Sequence, residues 1–153
     1  MPRRELSRPQ QIADWLNEWG AILAEPAEMI LIGSGALLWH AHKIGVETPL
    51  PENSMDVDPV TSSEAVAELA YDSIIGSDFE RKHGWHVNLM PDMVLRDLPE
   101  GWKKRCDSET YGNLTVVVPS VSDLLWPKMK RNEPRDYAHK EWAISQGILR
   151  DHE

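Results

Sequence analysis

The sequence predicts a single α/β domain, in which helices flank a mixed β-sheet across the whole chain, residues 1–153. Segments with helical periodicity alternate with short apolar or β-rich runs in the order αβαβαβ-β-αα, which favours a sheet covered by helices. The composition agrees, because 41% of the residues are hydrophobic, 27% are charged and the mean hydropathy is −0.45. With 153 residues and neither an internal repeat nor a linker, the chain has the length of one globular domain.

Cysteine content and the N-terminal segment exclude several classes of protein. Cys106 is the only cysteine, so neither an intrachain disulfide nor a cysteine-based zinc site can form. The segment after Met1 is polar and lacks the apolar core of a signal peptide, and no run of about eighteen apolar residues occurs. We therefore expect a cytoplasmic protein with no membrane span.

The N-terminal part of the chain contains two predicted helices and two predicted strands. A helix at about 8–24 follows from apolar residues spaced three to four apart. The apolar run 29–32 predicts a buried strand, and residues 36–43 predict a helix that follows it after a short turn. Residues 55–58 alternate apolar and acidic, the pattern of a strand with one buried face, and the next residue, Pro59, is expected to end this strand.

The rest of the chain continues the same alternation. A helix is expected at 61–73, followed by strands at 85–90 and 114–118, of which the second has the clearest β pattern. The helix after that strand is expected to kink or break at Pro127. A final helix is predicted at 134–146, where a glycine follows its last turn.

Charge is distributed unevenly along the chain. The formal net charge is −9, from 16 basic and 25 acidic residues. Residues 45–100 contain twelve acidic and three basic residues, so this segment alone has a charge of −9. A strongly negative face repels nucleic acid unless metal ions neutralise it, and it attracts basic partners or divalent cations. A solvated acidic surface that aids solubility explains the same charge.

Asp56 and Asp58 form the first candidate site. Residues two apart on a strand project from the same face, so the two carboxylates should lie side by side while Met55 and Val57 point into the core. Two neighbouring carboxylates repel each other unless a cation lies between them, and Mg²⁺ or Mn²⁺ prefers such oxygen ligands. The same pattern also occurs at exposed strand ends that bind nothing.

Gly33-Ser34-Gly35, between a predicted strand and a predicted helix, forms the second candidate site. The start of a helix offers unpaired backbone N–H groups and a partial positive charge, and glycine lets a phosphate approach the backbone closely. Ser34 adds a hydroxyl donor. A tight turn with no ligand is the alternative interpretation, since the stretch is neither a Walker loop nor a full dinucleotide-binding motif.

Taken together, the two signals occur in a recognisable order: a strand, Gly-Ser, a helix, a loop, and then Asp-x-Asp on the next strand. This order resembles the catalytic core of the polymerase-β-type nucleotidyltransferase superfamily. Residues 97–105, 123–128 and 135–136 look like the later motifs of small bacterial and phage nucleotidyltransferase-like proteins related to the AbiEii toxin family. The resemblance covers about residues 28–146, with the helix at 8–24 preceding it, and implies a nucleotidyltransferase-like mixed sheet.

The resemblance also implies roles for individual residues. The phosphate-binding positions of the family correspond to Gly33 and Ser34. Its metal-binding positions correspond to Asp56 and Asp58, and the later positions that orient the nucleotide correspond to Lys128 and Asp136. The implied cofactor is Mg²⁺, and the implied substrate is a nucleoside triphosphate. The implied reaction is transfer of a nucleotidyl group to an RNA or protein acceptor, in which positioning and charge neutralisation do most of the catalysis.

The sequence departs from the family pattern at several positions. The third carboxylate of the superfamily falls on Asn88, whose neutral amide cannot accept a proton from an attacking hydroxyl. Asp92 is a possible substitute, although it follows a proline in a predicted loop. Pro127 precedes Lys128 where the family usually has an unbroken helix. Each departure points towards a weakened or abandoned active site.

Two functional hypotheses from different classes follow. The first is a Mg²⁺-dependent nucleotidyltransferase, similar to toxins of toxin–antitoxin systems. The second is a catalytically inactive, acidic member of the fold that binds a basic protein or ribonucleoprotein, for example a phage counter-defence or anti-CRISPR protein that covers a nucleic-acid-binding surface. The Gly33-Ser34 turn and the intact Asp56/Asp58 pair favour the enzyme, while Asn88 and the acidic segment favour the binder.

Overall fold

The chain folds into a mixed five-stranded sheet with helices around it. The structure is a computed structural model, and it describes residues 5–51, 54–131 and 133–149. The fold class predicted from the sequence is therefore confirmed. The helices are α1 (Pro9–Ile22), α2 (Ser34–Lys43), α3 (Glu64–Tyr71), α4 (Asp78–His83), α5 (Val121–Arg131) and α6 (Pro134–Ser145). The strands are β1 (Ala27–Ile32), β2 (Asp56–Val60), β3 (His86–Val87), β4 (Asp107–Tyr111) and β5 (Leu114–Val118). Two short 3-10 helices cover Asp92–Asp97 and Trp102–Arg105.

The strand order in the sheet is β3-β2-β1-β5-β4. The central strand β1 runs parallel to β5 and antiparallel to β2, and β2 in turn runs parallel to β3. β4 and β5 form an antiparallel hairpin. Ile32, the last residue of β1, pairs with Asp58, so the end of β1 lies beside the acidic residues of β2.

One face of the sheet packs on α1 and α2, because alternate residues of the strands are apolar there. Met29, Leu31 and Val57 are all at most 1% exposed on this face. Helix α2 approaches β2 closely at Gly35, where an added Cβ would lie 3.1 Å from Cγ1 of Val57. The opposite face stays partly open, and it carries Ile32 and the two aspartates of β2. Over the part of the chain that the structure describes, every helix is too short or too polar to cross a bilayer.

Five predicted elements, α1, β1, α2, β5 and α6, are confirmed with bounds that shift by at most two residues. The apolar periodicity of these segments is strong, and each segment forms the element that its periodicity predicts. The predicted helix 61–73 corresponds to the shorter α3, which begins after Ser63, whose hydroxyl accepts the backbone N–H of Val66.

The prediction that Pro59 ends β2 is wrong, because the strand continues to Val60. The carbonyl of Pro59 accepts a hydrogen bond from the backbone N–H of Met90, on the side of β2 away from β1. Its nitrogen points to the same side, where β3 contains only two residues. The missing N–H therefore costs no hydrogen bond of the β1–β2 pairing, which explains why proline is tolerated here.

Two other expectations change in the structure. The strand predicted at 85–90 is reduced to β3, and β4 was not anticipated because its sequence is polar and gains its strand conformation by pairing with β5. Pro127 does not end α5, which continues to Arg131. Leu124 and Leu125 are each 3% exposed, so the burial of this helix outweighs the one backbone hydrogen bond that proline removes.

Candidate active site

A cleft of about 680 Å³ opens on the face of the sheet opposite α1 and α2. The end of β1, the start of α2, strand β2, the first 3-10 helix, α5 and the start of α6 all contribute to its walls. Its polar and charged lining residues are Ser34, Ser54, Asp56, Asp58, Asn88, Asp97, Lys128, Lys130, Arg131 and Arg135. Acidic side chains therefore come from the β2 side of the cleft, and basic side chains come from α5 and α6.

The two aspartates of β2 lie side by side at the acidic wall. Their strand alternation places both carboxylates in the cleft, while Val57 between them is fully buried on the opposite face. The Asp56 side chain is 34% exposed, and its Oδ2 lies 3.9 Å from Nε2 of His86. The same imidazole lies 2.8 Å from a carboxylate oxygen of Glu80 through its Nδ1.

The carboxyl group of Asp58 is held in an environment that disfavours its charge. Burial raises its pKa to about 6, and the neighbouring negative charge of Asp56 adds to the rise. A hydrogen bond from Nδ2 of Asn88 to Oδ1, at 3.2 Å, and the positive charge of Lys128 act in the opposite direction. The pKa of Asp58 is therefore affected by charged groups on both walls of the cleft.

Gly33 and Ser34 form the turn between β1 and α2 and line the cleft beside the aspartates. Gly33 has φ +77°, a value that favours glycine, and a Cβ added there would overlap Oδ2 of Asp58. Only glycine therefore allows this carboxylate to lie against the turn. Ser34 is 6% exposed and is the first residue of α2, so the unpaired N–H groups of a ten-residue helix begin at the cleft.

The basic wall is organised by a buried carboxylate. Oδ1 of Asp136 lies 3.4 Å from Nζ of Lys128 and 2.9 Å from a guanidinium nitrogen of Arg131. Asp136 is 1% exposed and lies behind the cleft, whereas both of its cationic partners line the cleft. Asp136 thus positions two cations that line the cleft.

Lys128 is 5% exposed, and burial lowers the pKa of its ammonium group. The negative charge of Asp136 raises the pKa and partly offsets this effect, while Arg131 lowers it further. An anionic ligand placed between Lys128 and Arg131 would relieve the repulsion between the two cations, which makes this wall suited to phosphate.

The aspartate pair fits a hard divalent cation. Mg²⁺ is commonly held by one or two protein carboxylates together with waters and substrate phosphates, and the repulsion between Asp56 and Asp58 would be relieved by such an ion. Within residues 5–51, 54–131 and 133–149, no group of three or more His, Cys, Asp or Glu side chains is placed to hold a metal ion. A bound ion would therefore depend on phosphate oxygens and waters for its remaining ligands.

Five of the six residues that the family resemblance points to line the same cleft: Gly33, Ser34, Asp56, Asp58 and Lys128. Asp136 lies behind it. Asn88 stands where the resemblance expects a third carboxylate, and its amide bonds to Asp58. Asp92, considered as a substitute for that carboxylate, lines a separate groove with Tyr71 and Leu95.

Four charged residues of the cleft lining had no role assigned to them from the sequence, namely Asp97, Lys130, Arg131 and Arg135. The three-residue spacing of Lys128 and Arg131 on one helix was a usable signal for one of them. Asp97 and Arg135 lie within the family-like stretches 97–105 and 135–136, but no role was assigned to them there, and they reach the cleft from separate elements. Burial and the charge of Asp123 raise the pKa of the Cys106 thiol, and the neighbouring cation Arg105 only partly offsets this rise.

Arg105 also has a structural contact that the sequence did not reveal. Its guanidinium makes two hydrogen bonds of 2.8 Å to the carboxylate of Asp123, near the start of α5. This pair joins the second 3-10 helix to α5 and so supports the helix that carries the basic wall. Arg105 is thereby engaged away from the cleft.

Comparison with known proteins agrees with this geometry. Residues 14–151 match the model of a family described as "Nucleotidyltransferase of unknown function (DUF6036)". No curated protein and no solved structure gives a significant match. The match covers well over half of the chain, including every residue of the cleft, and the strand–turn–helix and Asp-x-Asp strand lie within it. The chain therefore belongs to the DUF6036 family of nucleotidyltransferases.

Proposed function

We propose that this protein transfers a nucleotidyl group from a nucleoside triphosphate to a hydroxyl group of an RNA or protein acceptor, with Mg²⁺ as cofactor. The observation that carries the proposal is the cleft in which the Asp56/Asp58 pair faces Lys128 and Arg131. One wall suits a divalent cation and the other suits phosphate, and a metal–triphosphate complex needs both.

The phosphates are expected to lie between the start of α2 and the basic wall. Ser34 and the first backbone N–H groups of α2 donate to phosphate oxygens from one side. Lys128 and Arg131 approach from the other side, and Asp136 holds them in place. Arg135, which is exposed and lines the cleft, is available to the outermost phosphate or to the leaving group.

In the proposed reaction, the acceptor hydroxyl oxygen attacks the α-phosphorus and forms a new P–O bond. The bond between the α-phosphorus and the bridging oxygen breaks, and pyrophosphate leaves with the electron pair. Mg²⁺ held at Asp56 and Asp58 supplies neutralisation of the phosphate charge. The cations of α5 and α6 stabilise the departing pyrophosphate, so the protein acts mainly by positioning and by electrostatics.

The proton of the attacking hydroxyl needs an acceptor in the cleft. Asn88 cannot serve, because an amide does not take up a proton at neutral pH. Asp56 and Asp58 are assigned to the metal, so Asp97 is the remaining carboxylate of the cleft lining among the residues that the structure describes. We assign the role of general base to Asp97, and Asp97→Asn is expected to reduce transfer while leaving nucleotide affinity unchanged.

The experiment that tests the proposal begins with nucleotide binding. Titration calorimetry with ATP, CTP, GTP and UTP in MgCl₂ should show binding of at least one nucleotide to the wild-type protein. Asp58→Asn should abolish transfer of label from the α-³²P form of that nucleotide to total RNA or protein. Absence of binding at millimolar nucleotide and Mg²⁺ would contradict the proposal.

A matched pair of arginine variants tests the basic wall. Arg135→Gln removes an exposed cation that lines the cleft, and Arg96→Gln removes an exposed cation that lies outside its lining. The first substitution should weaken nucleotide binding several-fold, and the second should leave it unchanged. Equal effects of the two would indicate that general charge attraction, rather than a site, accounts for the binding.

The second candidate function is a non-catalytic binder of a basic protein or ribonucleoprotein, such as a counter-defence inhibitor. Two observations favour it. Asn88 replaces a carboxylate, and acidic side chains of α3 and α4 are exposed, among them Glu64, Glu68 and Asp78. For this function the aspartate pair would be dispensable, and the exposed acidic residues would dominate the affinity.

A further inference from the structure

Trp126 differs from every other tryptophan of this chain. The sequence contains seven tryptophans, and six of them are at most 8% exposed. Trp126, on α5, is 50% exposed. Half of its surface remains in contact with solvent, and tryptophan, which combines an apolar ring with a polar N–H, is enriched at interfaces.

Lys130 connects this ring to the cleft. It follows Trp126 by four residues on α5, and its Nζ lies 5.1 Å from the centroid of the Trp126 ring. Lys130 lines the cleft, whereas Trp126 does not belong to its lining. A ligand that extends out of the cleft past Lys130 would therefore reach Trp126 next.

The chain around this ring is the basic part of an acidic protein. Residues 101–135 contain seven basic and four acidic residues, in contrast to the strongly acidic segment 45–100. Three of these cations, Lys128, Lys130 and Arg131, lie on the same helix as Trp126. A half-exposed ring beside clustered cations is the arrangement by which proteins bind single-stranded nucleic acid, with bases on the ring and phosphates on the cations.

We propose that Trp126 and Lys130 bind the end of a single-stranded RNA, with one base stacked on the indole and the adjoining phosphate at Lys130. This inference rests on the proposed function, because it makes the RNA end the acceptor whose terminal hydroxyl enters the cleft. Residues of the cleft hold the nucleotide, and the Trp126–Lys130 pair holds the acceptor. A protein acceptor has no base to stack and is disfavoured by this chemistry.

Fluorescence anisotropy with a fluorescein-labelled ten-nucleotide single-stranded RNA of mixed sequence, without nucleoside triphosphate, tests the proposal. Trp126→Ala in the full chain should weaken binding at least about fivefold, the lower end for loss of one stacked base. Trp126→Phe should retain most of the affinity. Tyr71→Ala, which removes another exposed aromatic ring, 63% exposed and outside the cleft lining, is the control and should bind like wild type.

A second readout reports stacking directly. Base stacking quenches indole emission, so RNA should quench wild-type fluorescence, and Trp126→Phe should remove that quenching. Equal affinity of Trp126→Ala and wild type would overturn the proposal. So would equal binding of a blunt duplex of the same sequence. If the acceptor is a protein, the RNA should not bind measurably. Absence of RNA binding would therefore also overturn the proposal.

Nucleotide calorimetry on the same variants separates the two proposals. Trp126→Ala should bind the nucleoside triphosphate as wild type does, since Trp126 lies outside the cleft lining. Nucleotide binding without RNA binding would overturn the RNA inference and leave the proposed function standing. RNA binding that depends on Trp126, in a protein that binds no nucleotide, would overturn the proposed function and the acceptor role together.

Discussion

Replacing Asp58 by Asn should stabilise the folded protein at neutral pH while it abolishes activity. The carboxyl group is buried in the cleft wall beside Asp56, and its pKa is raised to about 6 for that reason. An asparagine of nearly the same shape carries no charge, and its side-chain oxygen can still accept the hydrogen bond that Asn88 donates to Asp58. The substitution therefore removes the unfavourable charge and little else.

The size and the pH range of the effect follow from the raised pKa. The rise from the ordinary value of 3.8 to about 6 corresponds to about 3 kcal/mol, at about 1.4 kcal/mol per unit. The folded state binds more protons than the unfolded state between these values, so the contribution of Asp58 to stability falls as the pH rises through this window. Asp58→Asn should therefore gain about 0.6 kcal/mol at pH 4 and up to about 3 kcal/mol at pH 8.

Urea unfolding in the presence of EDTA, followed by circular dichroism at pH 4, 6 and 8, measures this difference. Asp14→Asn, at an exposed position of α1, is the control and should change the free energy of unfolding by less than about 0.5 kcal/mol at every pH. The reasoning is refuted if Asp58→Asn gives the same change at pH 4 and pH 8, or if it destabilises the protein at pH 8.

Three further sets of substitutions test the turn at Gly33, the buried carboxylate behind the cleft and the exposed acidic residues of α3 and α4. Gly33→Ala should cost about 1–3 kcal/mol of backbone strain and should also displace Asp58. Gly45→Ala, at φ +80° with open space around it, is the control for strain alone. Thermal unfolding of the two variants measures the difference. Asp136→Asn should destabilise the protein by about 3–5 kcal/mol at pH 7, because Lys128 is left buried without its counter-charge, and equal stability of variant and wild type would contradict this. Reversing the charge of three exposed acidic residues, Glu64, Glu68 and Asp78, should leave nucleotidyl transfer unchanged if the protein is the proposed enzyme. If the protein is a binder, the same reversal should weaken a salt-sensitive complex, and Asp58→Asn should have no effect on that complex.

Local pattern was sufficient for the main elements and for part of the site. Periodicity of 3.6 and 2 residues reflects which side of an element is buried, so α1, β1, α2, β5 and α6 follow from the sequence. The alternation at 55–58 likewise placed Asp56 and Asp58 on one face. The Gly33-Ser34 turn followed from its place between a strand and a helix. Each of these features depends only on residues close together in the chain.

Features that depend on distant residues were decided by the tertiary structure. The strand β4 exists because β5 pairs with it, and β2 continues through Pro59 because its outer neighbour is short. Asp97 reaches the cleft from a 3-10 helix, and Asp92, five residues earlier, lines another groove.

The electrostatic character of the site was also beyond the reach of the sequence. Asp136 was expected to orient a nucleotide, yet it lies behind the cleft and pairs with Lys128 and Arg131. The raised pKa of Asp58 and the lowered pKa of Lys128 both arise chiefly from burial. Burial and charge–charge distance are properties of the packed chain, so the sequence supplied the charged groups of the cleft, and folding determined which of them act on one another.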